Sequence, residues 1–379
     1  MRKKIALIGC TGSIGRQVIS VCERYPERFA LVAIAANTGG KIFWEQAEKL
    51  RPSFAALRAE GEMPATLPAS VRFARGEEAF EEACSYPDAD IVLIAVTGFA
   101  GLKASLCAIR AGKTIALANK ESLVAGGEIV MPAAKAAGVD VLPVDSEHSA
   151  LWQCLSFDRN APFSKLILTA SGGALRDLPL EKLPYVTAKE ALAHPNWNMG
   201  AKITVDCATM LNKGFEVIEA MHLYGAPLEK VEVVMHRESI VHSMVAFADG
   251  AVLAQMSYPS MELPIQLALT YPERLRANVE PLDLAKCSAL HFSAPDFVRY
   301  PCLKLALDCA REGRDLPCAL NAAGEIAVHA FLEGQIKFTQ IAEIIEGTLS
   351  KTVPRPVESY ALLEETDANA RRIARSLLR

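Results

Sequence analysis

Asp145 and Glu147 lie two residues apart in Leu142-Pro143-Val144-Asp145-Ser146-Glu147-His148, at the end of a strand candidate. In extended chain, positions i and i+2 point the same way, so both carboxylates are placed to share one cation. Asn212-Lys213-Gly214-Phe215-Glu216 adds a third carboxylate, with Lys213 and Glu216 one helical turn apart. An all-oxygen donor set without Cys or clustered His suits Mg²⁺ or Mn²⁺, with Co²⁺ as an alternative, and does not suit zinc. Spacing alone does not link 145, 147 and 216. Three unrelated surface acids is the competing reading.

Two further segments suit anions. Ser171-Gly172-Gly173 follows the apolar run Leu166–Thr169, where successive backbone N–H groups can form an anion nest. Lys213 beside Asn212 adds charge and donors for a phosphate. In His194-Pro195-Asn196-Trp197-Asn198-Met199-Gly200, Trp197 has no apolar partners at helix or strand spacing. A tryptophan in such a turn-forming stretch reads as a lid over a ligand.

Gly9-Cys10-Thr11-Gly12-Ser13-Ile14-Gly15 follows the first strand candidate and opens a helix. There the glycines let backbone amides approach a pyrophosphate at the helix N-terminus, which points to a dinucleotide. A tight turn serving only packing is the alternative. An NAD site expects an acid about 20 residues on, at the ribose hydroxyl. Ala33-Ile34-Ala35-Ala36-Asn37-Thr38 has none, and Lys41 is the nearest cation along the chain. The residues therefore favour NADPH.

The elements that must position these groups follow from periodicity. Strand candidates Ile5–Gly9, Leu31–Ala35, Ile91–Ala95, Thr114–Leu117 and Val139–Pro143 alternate with helix candidates Ser13–Glu23, Lys41–Arg51 and Leu102–Ala111. That rhythm predicts a Rossmann-like parallel sheet over 1–145. Val231–Met235, Val241–Ala246 and Val252–Ser257 read as strands, with Asp249-Gly250 as a hairpin signal. A sheet covered on one face by helices fits an α/β metal and substrate domain over 146–270, with a flap at about 184–201. The proline-rich stretch 271–301 reads as a linker. Helical spacing then runs through 302–379, giving a C-terminal helical bundle whose Arg371–Arg379 tail reads as a solvated helix face. The fold class is thus multidomain α/β and α+β.

The 379 residues suffice for a large core without disulfides. With Lys+Arg at 40 and Asp+Glu at 44, the charge of −4 excludes a general nucleic-acid or membrane-surface binder. Ten scattered cysteines without a Cys-x-x-Cys pair suit a reduced chain. Met1-Arg2-Lys3-Lys4 runs straight into a strand rather than a signal core, and the Ile91–Leu102 run is too short to span a bilayer. A cytoplasmic enzyme is expected.

Taken together, Gly9–Gly15, Ala118-Asn119-Lys120-Glu121-Ser122, Pro143–His148, Ser171-Gly172-Gly173, His194–Gly200, Ala208–Glu219 and Leu263-Pro264-Ile265 resemble, in order and along essentially the whole chain, the 1-deoxy-D-xylulose 5-phosphate reductoisomerase family. The resemblance implies an NADPH- and metal-dependent homodimeric enzyme of isoprenoid synthesis acting on a phosphorylated sugar. It implies that Thr11, Gly12, Ser13 and Ile14 hold the cofactor diphosphate, with Ala36, Asn37, Asn119 and Glu121 also at the cofactor. Asp145, Glu147 and Glu216 are then the metal carboxylates. Lys120 and Ser146 stand around the substrate oxygens; Ser171, His194, Cys207, Asn212 and Lys213 place the substrate and its phosphate. Trp197 and Met199 belong to the flap, and Ser239 and Met261 line the site.

Three positions depart from the family. Cys10 and Cys207 replace serines, the second a phosphate contact, and Ala35-Ala36-Asn37 lacks the Lys or Arg often found before the Asn. Competing readings are a semialdehyde- or homoserine-type dehydrogenase and a non-catalytic nucleotide sensor. The semialdehyde type needs an activated Cys with a His partner, a context neither Cys154 nor Cys207 has. The sensor should have lost the carboxylates, which are all present.

Overall fold

A computed structural model describes residues 2–59, 61–156, 162–287 and 289–378. The chain forms two compact units. The first comprises Met1–Ser122, Val130–Asp145 and Met261–Asn278; the second comprises Leu123–Ile129, Ser146–Ser260 and Val279–Arg379.

Up to residue 145 the order is β1 (Lys3–Ile8), α1 (Ser13–Arg24), β2 (Phe29–Ala36), α2 (Lys41–Leu50), β3 (Phe54–Leu57), β4 (Arg72–Arg75), α3 (Glu77–Cys84), β5 (Ile91–Ile94), α4 (Ala100–Arg110), β6 (Thr114–Leu117), α5 (Glu121–Ala137, whose 123–129 stretch belongs to the second unit) and β7 (Val141–Pro143). The seven strands lie β4-β3-β2-β1-β5-β6-β7, and every neighbouring pair is parallel. Ile5, Leu7, Leu57 and Leu93 are fully buried, as a sheet covered on both faces requires. Chain order reverses around β1, so the carboxyl ends of β1 and β5 border the crevice where such sheets bind ligands.

The expected strands are all present, with ends shifted by one or two residues. β3, β4, α3 and α5 were not anticipated. α5 is interrupted at Gly126, whose φ/ψ is non-helical, and it contains Pro132. The sequence reading placed 262–270 with the metal and substrate domain. In the structure this stretch is helix α10 (Glu262–Thr270; numbered in chain order), and its Ile265, Ala268 and Leu269 join the core formed with α1.

The second unit contains α6 (Ser146–Leu155), β8 (Phe163–Ala170), α7 (Ala188–Ala191), α8 (Ala201–Thr209), α9 (Leu211–Tyr224), β9 (Val231–Met235), β10 (Val241–Phe247) and β11 (Val252–Met256), then α11 (Pro301–Glu312), α12 (Leu316–Leu332), α13 (Gln340–Leu349) and α14 (Tyr360–Ser376). Its sheet runs β11-β10-β8-β9. β10 and β11 form the expected antiparallel hairpin, while β8 inserts between β10 and β9. Leu151 and Cys154 of α6 and Val217 and Ala220 of α9 pack on Leu166, Leu168 and Val245 of the sheet. A separate apolar core joins α8, α9 and α11–α14 through Leu211, Phe215, Ala306, Leu320 and Ile345. Arg372 and Arg375 of the tail are exposed as expected, and Arg371 is the exception. Arg371 pairs with Glu325 at 2.6 Å and Asp367 at 2.7 Å, only 20 % exposed. Arg379 lies outside the described residues.

Candidate active site

The glycine loop leaves the carboxyl end of β1. Gly9 has φ +95°, and a Cβ there would lie 2.6 Å from the Ala95 backbone; one at Gly15 would lie 2.2 Å from the Gly9 carbonyl. Both glycines are therefore set by close backbone approach. Gly12 caps α1 in an extended conformation with no side-chain bond, and no acid occupies the first turn. The leading amides of α1 thus have no N-cap side chain as acceptor and no acid in their own turn, which fits the diphosphate of a dinucleotide. Thr11, Ser13 and Ile14 lie on this loop and first turn.

Ala36 ends β2, and exposed Asn37 follows it. The backbone N–H of Arg58, just past β3, donates to the Ala36 carbonyl at 2.9 Å, and the Arg58 guanidinium pairs with Glu77 at 2.7 Å. Strand pairing thus brings the Arg58 backbone beside Ala36, a neighbour that the sequence after Asn37 does not show.

Asn119, Lys120 and Glu121 link β6 to α5 and are buried. Asn119 Nδ2 donates to the carbonyls of Val96 (2.9 Å) and Gly98 (3.1 Å) and to Glu121 Oε2 (2.8 Å), while its Oδ1 accepts from Ser122. Glu121 Oε1 accepts from the Gly98 N–H at 3.2 Å. These two side chains shape the loop after β5 and leave Lys120 between them, 3.1 Å from Asp145.

Asp145 ends the 130–145 segment of the first unit and is joined by one peptide bond to Ser146, the first residue of α6. The pair 145/147 is therefore not in extended chain, as the sequence suggested. β7 stops at Pro143, Asp145 is a bend and Ser146 opens α6, so Glu147 lies on the first turn of a helix. Glu216 comes from α9. Ligand atoms of Asp145, Glu147 and Glu216 all lie within 4.8 Å of one another.

Lys213, one turn before Glu216 on α9, bridges the carboxylates. Its Nζ lies 3.0 Å from Glu147 Oε1 and bonds Glu216 Oε2 as well. Asn212 Nδ2 donates to Glu216 Oε1 at 2.5 Å, and Ser146 Oγ donates to Glu147. Three carboxylates against the ammonium groups of Lys120 and Lys213 leave one formal negative charge, and an ammonium already stands between two of them. The oxygen-only donor set fits a hard divalent cation.

Ser171, Gly172 and Gly173 follow β8, and both glycines have positive φ, +82° and +70°. A Cβ on Gly173 would meet the Ala208 backbone at 2.6 Å, so this turn sits against the Cys207–Ala208 segment of α8. His194 Nδ1 accepts from the N–H groups of Asn196 (3.2 Å) and Trp197 (3.0 Å). Its proton is therefore on Nε2, 2.9 Å from Ser171 Oγ. Ser171 Oγ also accepts from the Gly173 N–H at 3.2 Å. With both acceptor positions taken, the serine hydroxyl proton is left to point outward. Burial, with Arg176 nearby, pushes the His194 pKa down to about 4, so the ring is neutral near pH 7.

The Trp197 ring is half-buried and meets His242 edge-on, with centroids 6.0 Å apart. It therefore has an aromatic neighbour on β10 that sequence spacing did not reveal. His242 Nε2 lies 2.9 Å from Ser257 Oγ. Arg176, also unanticipated, donates to the Ser171 carbonyl at 3.0 Å.

With this geometry in view, sequence models of the family match the chain in three blocks. "1-Deoxy-D-xylulose 5-phosphate reductoisomerase" covers residues 5–127, its C-terminal domain 141–224, and "DXP reductoisomerase C-terminal domain" 256–373. The 1-deoxy-D-xylulose 5-phosphate reductoisomerase of Geobacillus sp. (strain WCH70) is 49 % identical over 380 residues, covering 99 % of this chain and 100 % of its own. The chain belongs to the 1-deoxy-D-xylulose 5-phosphate reductoisomerase family.

The Geobacillus kaustophilus reductoisomerase is 50 % identical over 383 residues, covering 99 % of this chain and all of its own. Among solved structures, the Zymomonas mobilis reductoisomerase in complex with NADPH superposes with a TM-score of 0.91 at 40 % identity, covering all of both chains. A DOX-P reductoisomerase in complex with NADPH, fosmidomycin and magnesium gives 0.92 at 37 %, covering 99 % of this chain and 98 % of its own.

Proposed function

We propose that this reductoisomerase converts 1-deoxy-D-xylulose 5-phosphate into 2-C-methyl-D-erythritol 4-phosphate with NADPH and Mg²⁺ or Mn²⁺. The observation that carries the reading is the convergence of Asp145, Glu147 and Glu216 in a chain that also has an uncapped, acid-free glycine loop. Asp145, Glu147 and Glu216 would hold the divalent cation, which supplies Lewis-acid polarisation of the ketol oxygens during skeletal rearrangement.

The chain's own groups do the rest. Lys120, beside Asp145, and Ser146, beside Glu147, stand where the substrate hydroxyls would bind. Lys213 bridges Glu147 and Glu216 and limits like-charge repulsion between them. The Ser171 hydroxyl and the Gly172 N–H suit the substrate phosphate, with the Gly173 N–H holding Ser171 Oγ in place. Neutral His194 fixes Ser171 rather than supplying charge. Cys207 adds a weaker donor than serine beside the Gly172-Gly173 turn. Phosphate binding remote from the chemistry can be spent on orientation, and closure of the 184–201 flap with Trp197 and Met199 keeps water away. Ser239 and Met261 complete the lining.

Thr11, Gly12, Ser13 and Ile14 take the cofactor diphosphate, and Ala36 and Asn37 flank the adenosine ribose. Asn119 and Glu121 serve the cofactor by shaping the Val96–Gly98 loop. The division of labour is a cofactor domain of 1–145 joined by 261–278, a metal and substrate domain over 146–260, and a helical domain beginning at α11. We read the enzyme as a homodimer, since edge strand β11 leaves Val252 and Leu253 51 % and 41 % exposed. A cytoplasmic setting agrees with ten free thiols, eight of them buried, and no helix among the described residues is long and apolar enough to cross a membrane.

Incubating the protein with the sugar phosphate, NADPH and Mg²⁺ and following products by ³¹P and ¹³C NMR tests the reaction. The branched polyol phosphate is expected; simple reduction of the unrearranged ketone would overturn it. Equal kcat/KM with NADPH and NADH would overturn the cofactor assignment.

A further inference from the structure

His236 is fully buried, follows β9, and has no part in the chemistry described above. Its Nε2 accepts two backbone N–H groups, from Ile240 and Val241, each at 3.1 Å. The ring proton is therefore on Nδ1, which lies 3.0 Å from the His291 carbonyl and 3.1 Å from Glu238 Oε2. Phe292 stacks on the ring, with centroids 4.7 Å apart and planes within 13°. The imidazole thus ties the Arg237–Ser239 turn both to β10 and to the 291–293 segment. That turn needs a tie, because Ser239 holds a left-handed φ of +54°, a conformation unfavourable for a residue with a side chain.

The turn has a visible recipient. Asn196 Nδ2, between His194 and Trp197, donates to the Arg237 carbonyl at 2.7 Å and to Ser239 Oγ at 2.8 Å. Arg176 donates to the same Arg237 carbonyl at 2.9 Å and to the Ser171 carbonyl. Asn196 in turn bonds His194, and His194 bonds Ser171. A continuous set of bonds therefore runs from His236 to the serine assigned to the phosphate.

We propose that His236 is a positioning residue: its imidazole holds the 237–239 turn in the shape that receives Asn196, and so sets where His194 and Ser171 stand for the substrate phosphate. The first half is structural; the second rests on the phosphate reading above. His236 touches neither substrate nor cofactor in this role.

The test is a double-mutant cycle of His236→Leu and Asn196→Ala, with His236→Gln and His236→Asn alongside. Two readouts are taken: hydrogen exchange of residues 194–200 in ligand-free protein, and KM and kcat. His236→Leu should speed exchange at the Asn196 and Trp197 amides. It should raise the sugar-phosphate KM about tenfold, the loss expected for a pair of neutral hydrogen bonds, with kcat and the NADPH KM changed less than about threefold. The double variant should be no worse than either single, because both break one contact. His236→Gln, whose amide oxygen reaches the Nε2 position, should rescue, and the shorter His236→Asn should not. Additive effects, or unchanged exchange in a folded His236→Leu, would overturn the proposal. Where the leucine variant does not fold, equal KM values for the Gln and Asn variants would do so. Faster exchange with an unchanged sugar-phosphate KM would leave the tie on the 237–239 turn standing and reject the phosphate reading.

Discussion

A methyl group added at Gly15 has no room. Its Cβ would lie 2.2 Å from the Gly9 carbonyl oxygen and 2.7 Å from Cys10 Cα, and both neighbours are backbone. Relaxing such contacts to about 3.5 Å requires α1 to part from the loop by roughly 1 Å. That movement costs about 1–3 kcal/mol of stability, the usual range for overpacking. It also carries the leading amides of α1 out of hydrogen-bond range of a diphosphate. Two charge-assisted bonds at about 1.5 kcal/mol each amount to about 3 kcal/mol, or roughly 150-fold in affinity. Gly12→Ala is the matched control: its Cβ would meet nothing closer than 3.4 Å, and the backbone φ is −69°. NADPH fluorescence titration and thermal melts of the ligand-free proteins separate the two effects. Gly15→Ala should lose both affinity and stability, while Gly12→Ala should keep its melting temperature. NADPH binding within threefold of wild type in Gly15→Ala, or equal destabilisation by both variants, would refute the reasoning.

Other expectations follow from the same geometry. Glu216→Gln removes one of three metal carboxylates and one partner of buried Lys213, so metal-dependent turnover should fall at least about 10³-fold; near-normal activity across a Mg²⁺ titration would contradict the assignment. Cys207→Ser restores a better donor beside the Gly172-Gly173 nest and should lower the sugar-phosphate KM; an unchanged or raised KM would count against that contact. For His194, burial depresses the pKa to about 4 from 6.5. The folded state then favours the neutral ring: its contribution to stability is complete above about pH 6.5 and declines as pH falls towards 4. NMR of the imidazole should show a midpoint near 4, with faster exchange of the Asn196 and Trp197 amides below about pH 5; a midpoint near 6.5 would contradict the buried, Ser171-bonded ring.

The parallel sheet was legible because β1, β2, β5 and β6 are apolar runs bounded by turn residues. β3 was missed because Phe54-Ala55-Ala56-Leu57 is too short and alanine-rich to show strand character. β4 was missed because Arg72-Phe73-Ala74-Arg75 has charged ends and is an edge strand. The three carboxylates that converge were joined by the family resemblance and not by their spacing, and the backbone between two of them was misjudged. The chain bends at Asp145 and enters α6 at Ser146, and a period-two argument holds only while the chain stays extended. Groups whose partners come from distant segments were not readable at all. Arg58 lies beside Ala36 through strand pairing, and Trp197 meets His242 across 45 positions of chain. His236 gave no signal, since its role lies in two backbone amides and a carbonyl from residue 291.

The most direct test of the convergent carboxylates and the glycine loop acting in one reaction is the decay of NADPH absorbance with components added singly. Decay should require both 1-deoxy-D-xylulose 5-phosphate and Mg²⁺ or Mn²⁺, and should stop on chelation. No decay with all components present, or full decay without the metal, would contradict it.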